Sequence, residues 1–183
     1  MSKRLFLGLE LPASIRDELS SLDPHIKGMR WARTEQIHLT MSFLGEVDAA
    51  HEERLRESLS TVRVPAAFFL PVTGVGAFGG EWPKVVWAGV GKGHPHLFAL
   101  HQHLQDAVLL AGLEADLKPF HPHITLGRLR GVSRATLKRF LRQYAETEFG
   151  LWKVTGFVLF SSILAPEGST YTVEMRRDLP DAG

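Results

Sequence analysis

Apolar residues recur along the chain with two periods, one typical of strands and one typical of helices. Short apolar runs and alternating stretches predict strands. In the helical segments the apolar residues are three or four positions apart, as Ile15, Leu19 and Leu22 are. Asp48 and Ser133 are suitable N-caps for two of the helices. We predict strands at residues 4–11, 29–33, 37–44, 67–74, 84–90, 121–129, 152–164 and 170–176, and helices at 12–22, 48–63, 96–110 and 133–144.

A strand, a helix, a His-x-Thr strand and a second helix follow one another twice. The two His-x-Thr segments begin at His38 and His123, and a glycine follows each of them. The order predicts a pseudo-two-fold molecule built of approximate units 1–80 and 81–183, within a single domain whose terminal strands can exchange between lobes. Several neighbouring strands have no helix between them, which favours an antiparallel α+β fold over a parallel one.

Composition limits the classes of protein to which this chain can belong. At 183 residues, 44% hydrophobic and 22% charged, the chain is typical of a globular domain. The absence of cysteine excludes disulfides, a thiolate zinc site and a cysteine nucleophile. A net charge of +1 argues against coating nucleic acid by charge alone, although it permits the binding of a single phosphate. No apolar run approaches a membrane span, and the N-terminus reads as a strand rather than a signal peptide, so we expect a cytoplasmic protein without membrane association.

The paired His-x-Thr strands carry the candidate chemistry. Alternate side chains of a strand share a face, so His38 and Thr40 face one way, as do His123 and Thr125. Packing about a pseudo-two-fold axis would bring two imidazoles and two hydroxyls to one cleft. Near neutral pH, a pair of imidazoles can supply one neutral base and one protonated acid. In-line displacement at phosphorus needs that pair, with hydroxyls binding the other phosphate oxygens.

Other patterns are weaker. A single His-x-Thr is commonly incidental, and a metal site on His38 and His123 lacks a third ligand nearby in sequence. The G-x-G-x-x-G spacing at 74–79 precedes a strand, which predicts a hairpin instead of a dinucleotide site. The segment 89–93 lacks the spacing and the hydroxyl of a phosphate loop. A solvated helix explains the remaining histidine cluster better than a metal site does; its members are His94, His96, His101 and His103.

Residues 30–47 strongly resemble the first motif of the 2H phosphoesterases, and within them the bacterial and archaeal RNA 2′,3′-cyclic phosphodiesterases, also called 2′–5′ RNA ligases. Residues 120–128 match their second motif, 4–12 their first strand, and 158–162 with the Tyr171 strand their last two. The resemblance covers nearly the whole chain. It implies a bilobal α+β fold, with two antiparallel sheets flanking a central cleft and helices packed outside. It also implies metal-independent, cofactor-free opening of a 2′,3′-cyclic phosphate to a 2′-phosphate.

The resemblance assigns roles to five residues. His38 and His123 are the catalytic pair, with His123 as base and His38 as acid in the family, although the near-symmetry of the motifs leaves that order open. Thr40, Thr125 and Arg128 bind the substrate phosphate. Strict alternation places Arg128 on the face opposite to His123, so a twist or bulge at Gly127, which glycine permits, is required for it to reach the cleft.

Further contacts with RNA are expected from Arg130, His121 and Ser42, although Ser42 stands where relatives often carry lysine. Seven basic residues and no acidic one lie between residues 117 and 145, which indicates either an RNA-binding surface or a solvated helix face. A base can stack on an aromatic ring at the cleft rim, and the candidates are Phe6, Trp31, Phe43, Trp87 and Phe120.

The expected partner is RNA with a 2′,3′-cyclic phosphate end, or a nucleotide analogue, bound by a monomer. Reversible 2′–5′ RNA ligation is also expected, with an RNA 5′-hydroxyl replacing water in the displacement. Two other functions remain open: hydrolysis of a small nucleotide or ADP-ribose cyclic phosphate, and binding of RNA ends without catalysis.

Overall fold

The predicted order of strands and helices is found in the computed structural model, which describes residues 1–90 and 93–183. The segment 89–93, judged above not to be a phosphate loop, lies partly outside the described residues. The strands are β1 Ser2–Glu10, β2 Met29–Trp31, β3 His38–Asp48, β4 Phe68–Phe78, β5 Val85–Val90, β6 His123–Leu129, β7 Glu148–Val154, β8 Gly156–Ile163 and β9 Thr170–Asp178. The helices are α1 Ala13–Ser21, α2 Ala49–Thr61, α3 Pro95–Leu110 and α4 Arg134–Gln143, with a short 3-10 turn at Thr34–Gln36.

The strands form one antiparallel sheet with two halves. Its order is β7-β4-β5-β6-β3-β1-β8-β9, and β2 pairs with β6. A single residue pair, Leu39 with Ile124, joins β3 to β6, so the two predicted sheets are halves of one nine-stranded sheet. The α+β class and the antiparallel pairing are confirmed. Strands from both ends of the chain contribute to each half, since β8 pairs with β1 and β2 with β6.

Alternation along the motif strands separates the core from the cleft. Leu39 and Ile124, which lie between the histidine and threonine of each motif, are fully buried. Helix α3 buries its apolar stripe as its period predicts. The predicted N-caps are also found: Asp48 accepts the backbone N–H of His51 at 2.9 Å, and Ser133 accepts that of Thr136 at 3.2 Å.

One predicted strand is wrong. Residues 152–164 form parts of two strands, β7 and β8, separated at Thr155. The break arises because β7 pairs with β4 in one half of the sheet, whereas β8 pairs with β1 and β9 in the other. The glycine-rich segment 74–79 continues β4 and turns into β5, which confirms the predicted hairpin. None of the described helices is long and apolar enough to cross a membrane.

Candidate active site

The two His-x-Thr motifs meet where the halves of the sheet join. Leu39 and Ile124 are the central residues of the motifs, and they are paired with each other in antiparallel register. The junction therefore relates the motifs by an approximate two-fold axis. The cleft at this junction has a volume of about 780 Å³, and its lining includes the histidine and the threonine of both motifs.

Each catalytic candidate is oriented by the carbonyl two residues before it. His38 Nδ1 lies 2.8 Å from the Gln36 oxygen, and His123 Nδ1 lies 2.7 Å from the His121 oxygen. An imidazole that donates from Nδ1 keeps its lone pair on Nε2. In the case of His38, Nε2 lies 2.8 Å from Thr40 Oγ1, which also lines the cleft. Both neutral imidazoles are thus held in the tautomer that has its lone pair on Nε2, and in His38 this lone pair accepts from the Thr40 hydroxyl.

Aromatic rings enclose His38 more completely than His123. The ring centroids of Phe6 and Tyr171 lie 4.9 Å and 5.2 Å from that of His38. His123 contacts the ring of Phe78 edge-on at 4.8 Å. The two sites are therefore symmetric in backbone position but differ in how far water reaches them.

Burial lowers the pKa of both imidazoles. The pKa of His38 falls from 6.5 to about 4; the Gln36 carbonyl opposes this shift, and the charges of Arg128 and His123 add to it. The pKa of His123 is lowered by burial as well, against the His121 carbonyl and with help from the charges of Arg128 and His121. At neutral pH the free protein therefore holds two mainly neutral imidazoles, whereas the sequence predicts one neutral and one protonated ring. An anionic phosphate between them would raise both pKa values.

The low pKa of His38 makes the fold sensitive to acid. Between pH 6.5 and about 4, the unfolded chain binds a proton that folded His38 does not. His38 therefore makes its full contribution to the free energy of unfolding above pH 6.5, and this contribution is lost as the pH falls toward 4. Lowering the pH from 7 to 4.5 should reduce the free energy of unfolding of the wild type by about 2–3 kcal/mol more than that of His38→Gln. Denaturant unfolding at both pH values measures this difference, and equal losses in the two proteins would contradict it.

A bulge in β6 brings Arg128 to the cleft. Thr125 and Gly127 pair with consecutive residues of β5, so Leu126 has no partner on that strand. Alternation is reset at the bulge: Leu126 and Gly127 are both buried, and Arg128 returns to the face of Thr125. Arg128 is exposed in the cleft lining. The irregularity that the sequence requires is confirmed, one residue before the glycine.

The same bulge occurs in β3. Thr40 and Ser42 pair with consecutive residues of β1, which leaves Met41 unpartnered there. Phe43 then occupies the position that corresponds to Arg128, and it lines the cleft with 60% of its surface exposed. One side of the cleft is therefore basic at this position, and the other is aromatic.

Gly127 is required by its neighbour on β2. Trp31 pairs with Gly127, and a Cβ at Gly127 would lie 2.9 Å from Trp31 Cε3. The indole also donates from Nε1 to the carbonyl of Leu19 on α1 at 3.1 Å. The glycine thus lets Trp31 fix β2 against both β6 and α1, next to the candidate site.

Known proteins that resemble this chain over most of its length are phosphoesterases. A family model described as LigT like Phosphoesterase matches residues 9–87 and 90–171. An Archaeoglobus fulgidus protein named RNA 2′,3′-cyclic phosphodiesterase is 33% identical over 172 residues, which cover 92% of this chain and 96% of the relative. An Escherichia coli protein of the same name is 35% identical over 159 residues, 82% of this chain and 86% of the relative. The crystal structure of E. coli LigT complexed with 3′-AMP gives a TM-score of 0.78 at 31% identity, over 98% of this chain and 99% of that one.

The chain belongs to the LigT-like phosphoesterase family. The family model covers most of its length. The resemblance drawn from residues 30–47 and 120–128 is confirmed, and with it the expectation that the protein is a phosphodiesterase enzyme.

Two of the three further residues that are predicted to contact RNA lie in the cleft of this phosphoesterase. His121 and Ser42 line the cleft, and the buried Ser42 hydroxyl has no hydrogen-bond partner in the described structure. Arg130 is absent from the lining, so its expected contact with RNA stays a prediction. Its backbone N–H donates to the Gly28 carbonyl at 2.8 Å beyond the end of β6, and its side chain is exposed outside the cleft.

The basic stretch between residues 117 and 145 divides between several surroundings. Lys118 and Arg128 line the cleft. Arg134 donates to the carbonyls of the turn between β4 and β5, so it supports that hairpin. The exposed basic residues of α4 lie outside the cleft lining; they are Lys138, Arg139 and Arg142.

The cleft also contains basic residues, and one histidine, to which the sequence assigned no role in it. The basic residues Arg4 and Arg30 line the cleft. His101 reaches it from α3, and its ring stacks on that of Phe120 with the ring centroids 3.9 Å apart. Burial lowers the pKa of His101, and the charge of Asp116 opposes this shift. His101 is therefore not part of a solvated helix face as expected. Across residues 1–90 and 93–183, no three His, Asp or Glu side chains are grouped to hold a metal ion.

Proposed function

We propose that this phosphoesterase hydrolyses RNA ends that carry a 2′,3′-cyclic phosphate, leaving a 2′-phosphate. The observation that carries the proposal is the pair of imidazoles at equivalent positions in one cleft, each with Nδ1 held by a carbonyl. The relatives named RNA 2′,3′-cyclic phosphodiesterase support this choice of substrate.

In the proposed reaction the two histidines divide the proton transfers. His123 Nε2 takes a proton from water as the water oxygen attacks phosphorus. The bond between phosphorus and the 3′-oxygen breaks, and His38 Nε2 gives its proton to that oxygen. Water supplies one oxygen to phosphorus and a proton to the base, so the products are a 2′-phosphate and a free 3′-hydroxyl. Positioned proton transfers of this kind contribute about 10²–10⁴-fold each.

The remaining cleft residues bind the phosphate and the nucleoside. The hydroxyls of Thr40 and Thr125 donate to the non-bridging oxygens, and the guanidinium of Arg128 neutralises their charge. The negative phosphate raises the pKa of His38, which allows an imidazole that is neutral in the free protein to act as the acid. The exposed ring of Phe43 offers a surface on which a base can stack.

The same displacement can join two RNA ends. An RNA 5′-hydroxyl replaces water as the nucleophile; its attack on phosphorus breaks the bond to the 3′-oxygen and forms a 2′–5′ linkage. His123 again takes the proton of the nucleophile and His38 again protonates the 3′-oxygen, so both residues keep their roles.

The assigned order of acid and base can be tested with a substrate whose 3′-oxygen is replaced by sulfur. A thiolate leaves without protonation, so the acid becomes dispensable. We expect His38→Ala to recover to within about tenfold of the wild-type kcat on this substrate, while His123→Ala stays impaired by about 10²-fold or more. The opposite pattern would reverse the two roles, and recovery of neither variant would contradict paired acid–base catalysis.

A further inference from the structure

Two arginines are neighbours in the cleft lining, on the paired strands β2 and β6. Arg30 of β2 is the ladder partner of Arg128 of β6, so their side chains project from the same face. Both are exposed and both line the cleft that contains His38 and His123. Like charges directly opposite each other destabilise a sheet. Pairing two arginines here therefore costs free energy in the absence of a bound anion.

The protein supplies no counter-charge for this pair. Among residues 1–90 and 93–183, no carboxylate forms an ion pair with Arg30 or Arg128. The Lys and Arg side chains that do form ion pairs are Lys3, Arg33, Arg56, Lys153 and Arg176. Asp116, a carboxylate of the cleft lining, accepts the backbone N–H of Lys118 at 3.0 Å. The two guanidinium groups are thus free to bind an anion that enters the cleft.

The two arginines differ in their position relative to the motif residues of β6. Along this strand the cleft residues run from His123 through Thr125 to Arg128, and Arg30 lies beside the outer end of that row. A phosphate held at the histidines and threonines is within the reach of Arg128. Arg30 extends the positive surface away from the reacting phosphate, where a longer substrate carries its next charge.

We propose that Arg30 binds the internucleotide phosphate that adjoins the cyclic phosphate, and that this contact makes an oligonucleotide end a better substrate than a mononucleotide. This inference rests on the proposed function, which places the cyclic phosphate between His38 and His123. A charge-assisted contact at the second phosphate lowers the KM of a substrate that has such a phosphate. It adds little to binding of a mononucleotide, which has none.

The test compares a dinucleotide with a mononucleotide, each ending in a 2′,3′-cyclic phosphate, on the wild type, Arg30→Gln and Arg63→Gln. Arg63 is an exposed arginine outside the cleft lining, so its replacement controls for the loss of one positive charge. We expect Arg30→Gln to raise the KM of the dinucleotide by about tenfold and that of the mononucleotide by much less. The plot of log kcat/KM against log salt for the dinucleotide should become shallower by about 0.7, as expected for the loss of one phosphate contact to a single strand.

Other results would overturn the inference. Equal increases of KM on both substrates would mean that Arg30 acts on the reacting phosphate or on the fold. The polyphosphate of a nucleotide presents similar charges, so inhibition by ATP is measured in parallel. Weaker inhibition by ATP in Arg30→Gln, with an unchanged KM for the dinucleotide, would assign the site to polyphosphates. Failure of the wild type to hydrolyse either substrate would instead contradict the proposed function itself.

Discussion

Replacing His123 by alanine is expected to lower kcat by about 10²–10⁴-fold on an RNA that ends in a 2′,3′-cyclic phosphate, because a positioned proton transfer is removed. His38→Ala is expected to lose a similar factor. The double variant should lose much less than the product of the two factors, since the histidines act on one displacement. Steady-state kinetics in EDTA at pH 7 measure all three variants.

His96→Ala is the matched control for these variants. His96 is an exposed histidine outside the cleft lining, so its removal should leave kcat within about twofold of the wild type. Full activity in either His38→Ala or His123→Ala would exclude paired acid–base catalysis. Loss of wild-type activity in EDTA would show that the reaction needs a metal ion, which the proposed mechanism does not use.

Replacing Leu39 by alanine is expected to reduce the free energy of unfolding by about 2–5 kcal/mol. Leu39 is fully buried, and its pairing with Ile124 is the link between β3 and β6. The cavity would form at the point that sets the separation of the two motifs, so kcat should fall as well. Denaturant unfolding and steady-state kinetics on the same preparation measure both effects.

Two leucine variants separate this effect from a general loss of apolar surface. Leu39→Met conserves most of the volume and should cost less than about 1.5 kcal/mol. Leu109→Ala removes a side chain that is 56% exposed and should change stability by less than about 0.5 kcal/mol. A loss of stability in Leu39→Ala no larger than that in Leu109→Ala would contradict the role given to this junction.

Local periodicity was sufficient to place each candidate histidine on the same face as its threonine. Alternation within each strand puts His38 with Thr40 and His123 with Thr125, and the apolar residues between them face the core in the structure. For Arg128, the sequence indicated only that a bulge is needed. The bulge lies at Leu126 because the register between β5 and β6 changes there, and that register depends on both strands.

Features that depend on distant pairing were not accessible in this way. Arg30 faces Arg128 only because β2 pairs with β6, and no local pattern specifies that partner. His101 belongs to a histidine cluster that the sequence assigns to a solvated helix face, yet it stacks on Phe120 at the cleft. Residues 152–164 are continuous in their apolar pattern, but β7 and β8 belong to different halves of the sheet.

The central claim is that paired imidazoles break the bond between phosphorus and the 3′-oxygen of a terminal cyclic phosphate. The most direct measurement is the identity of the phosphorylated end after wild-type protein in EDTA has acted on an RNA oligonucleotide that ends in a 2′,3′-cyclic phosphate. A 2′-phosphate with a free 3′-hydroxyl is the predicted product. A 3′-phosphate, or an unchanged cyclic end, would contradict the claim.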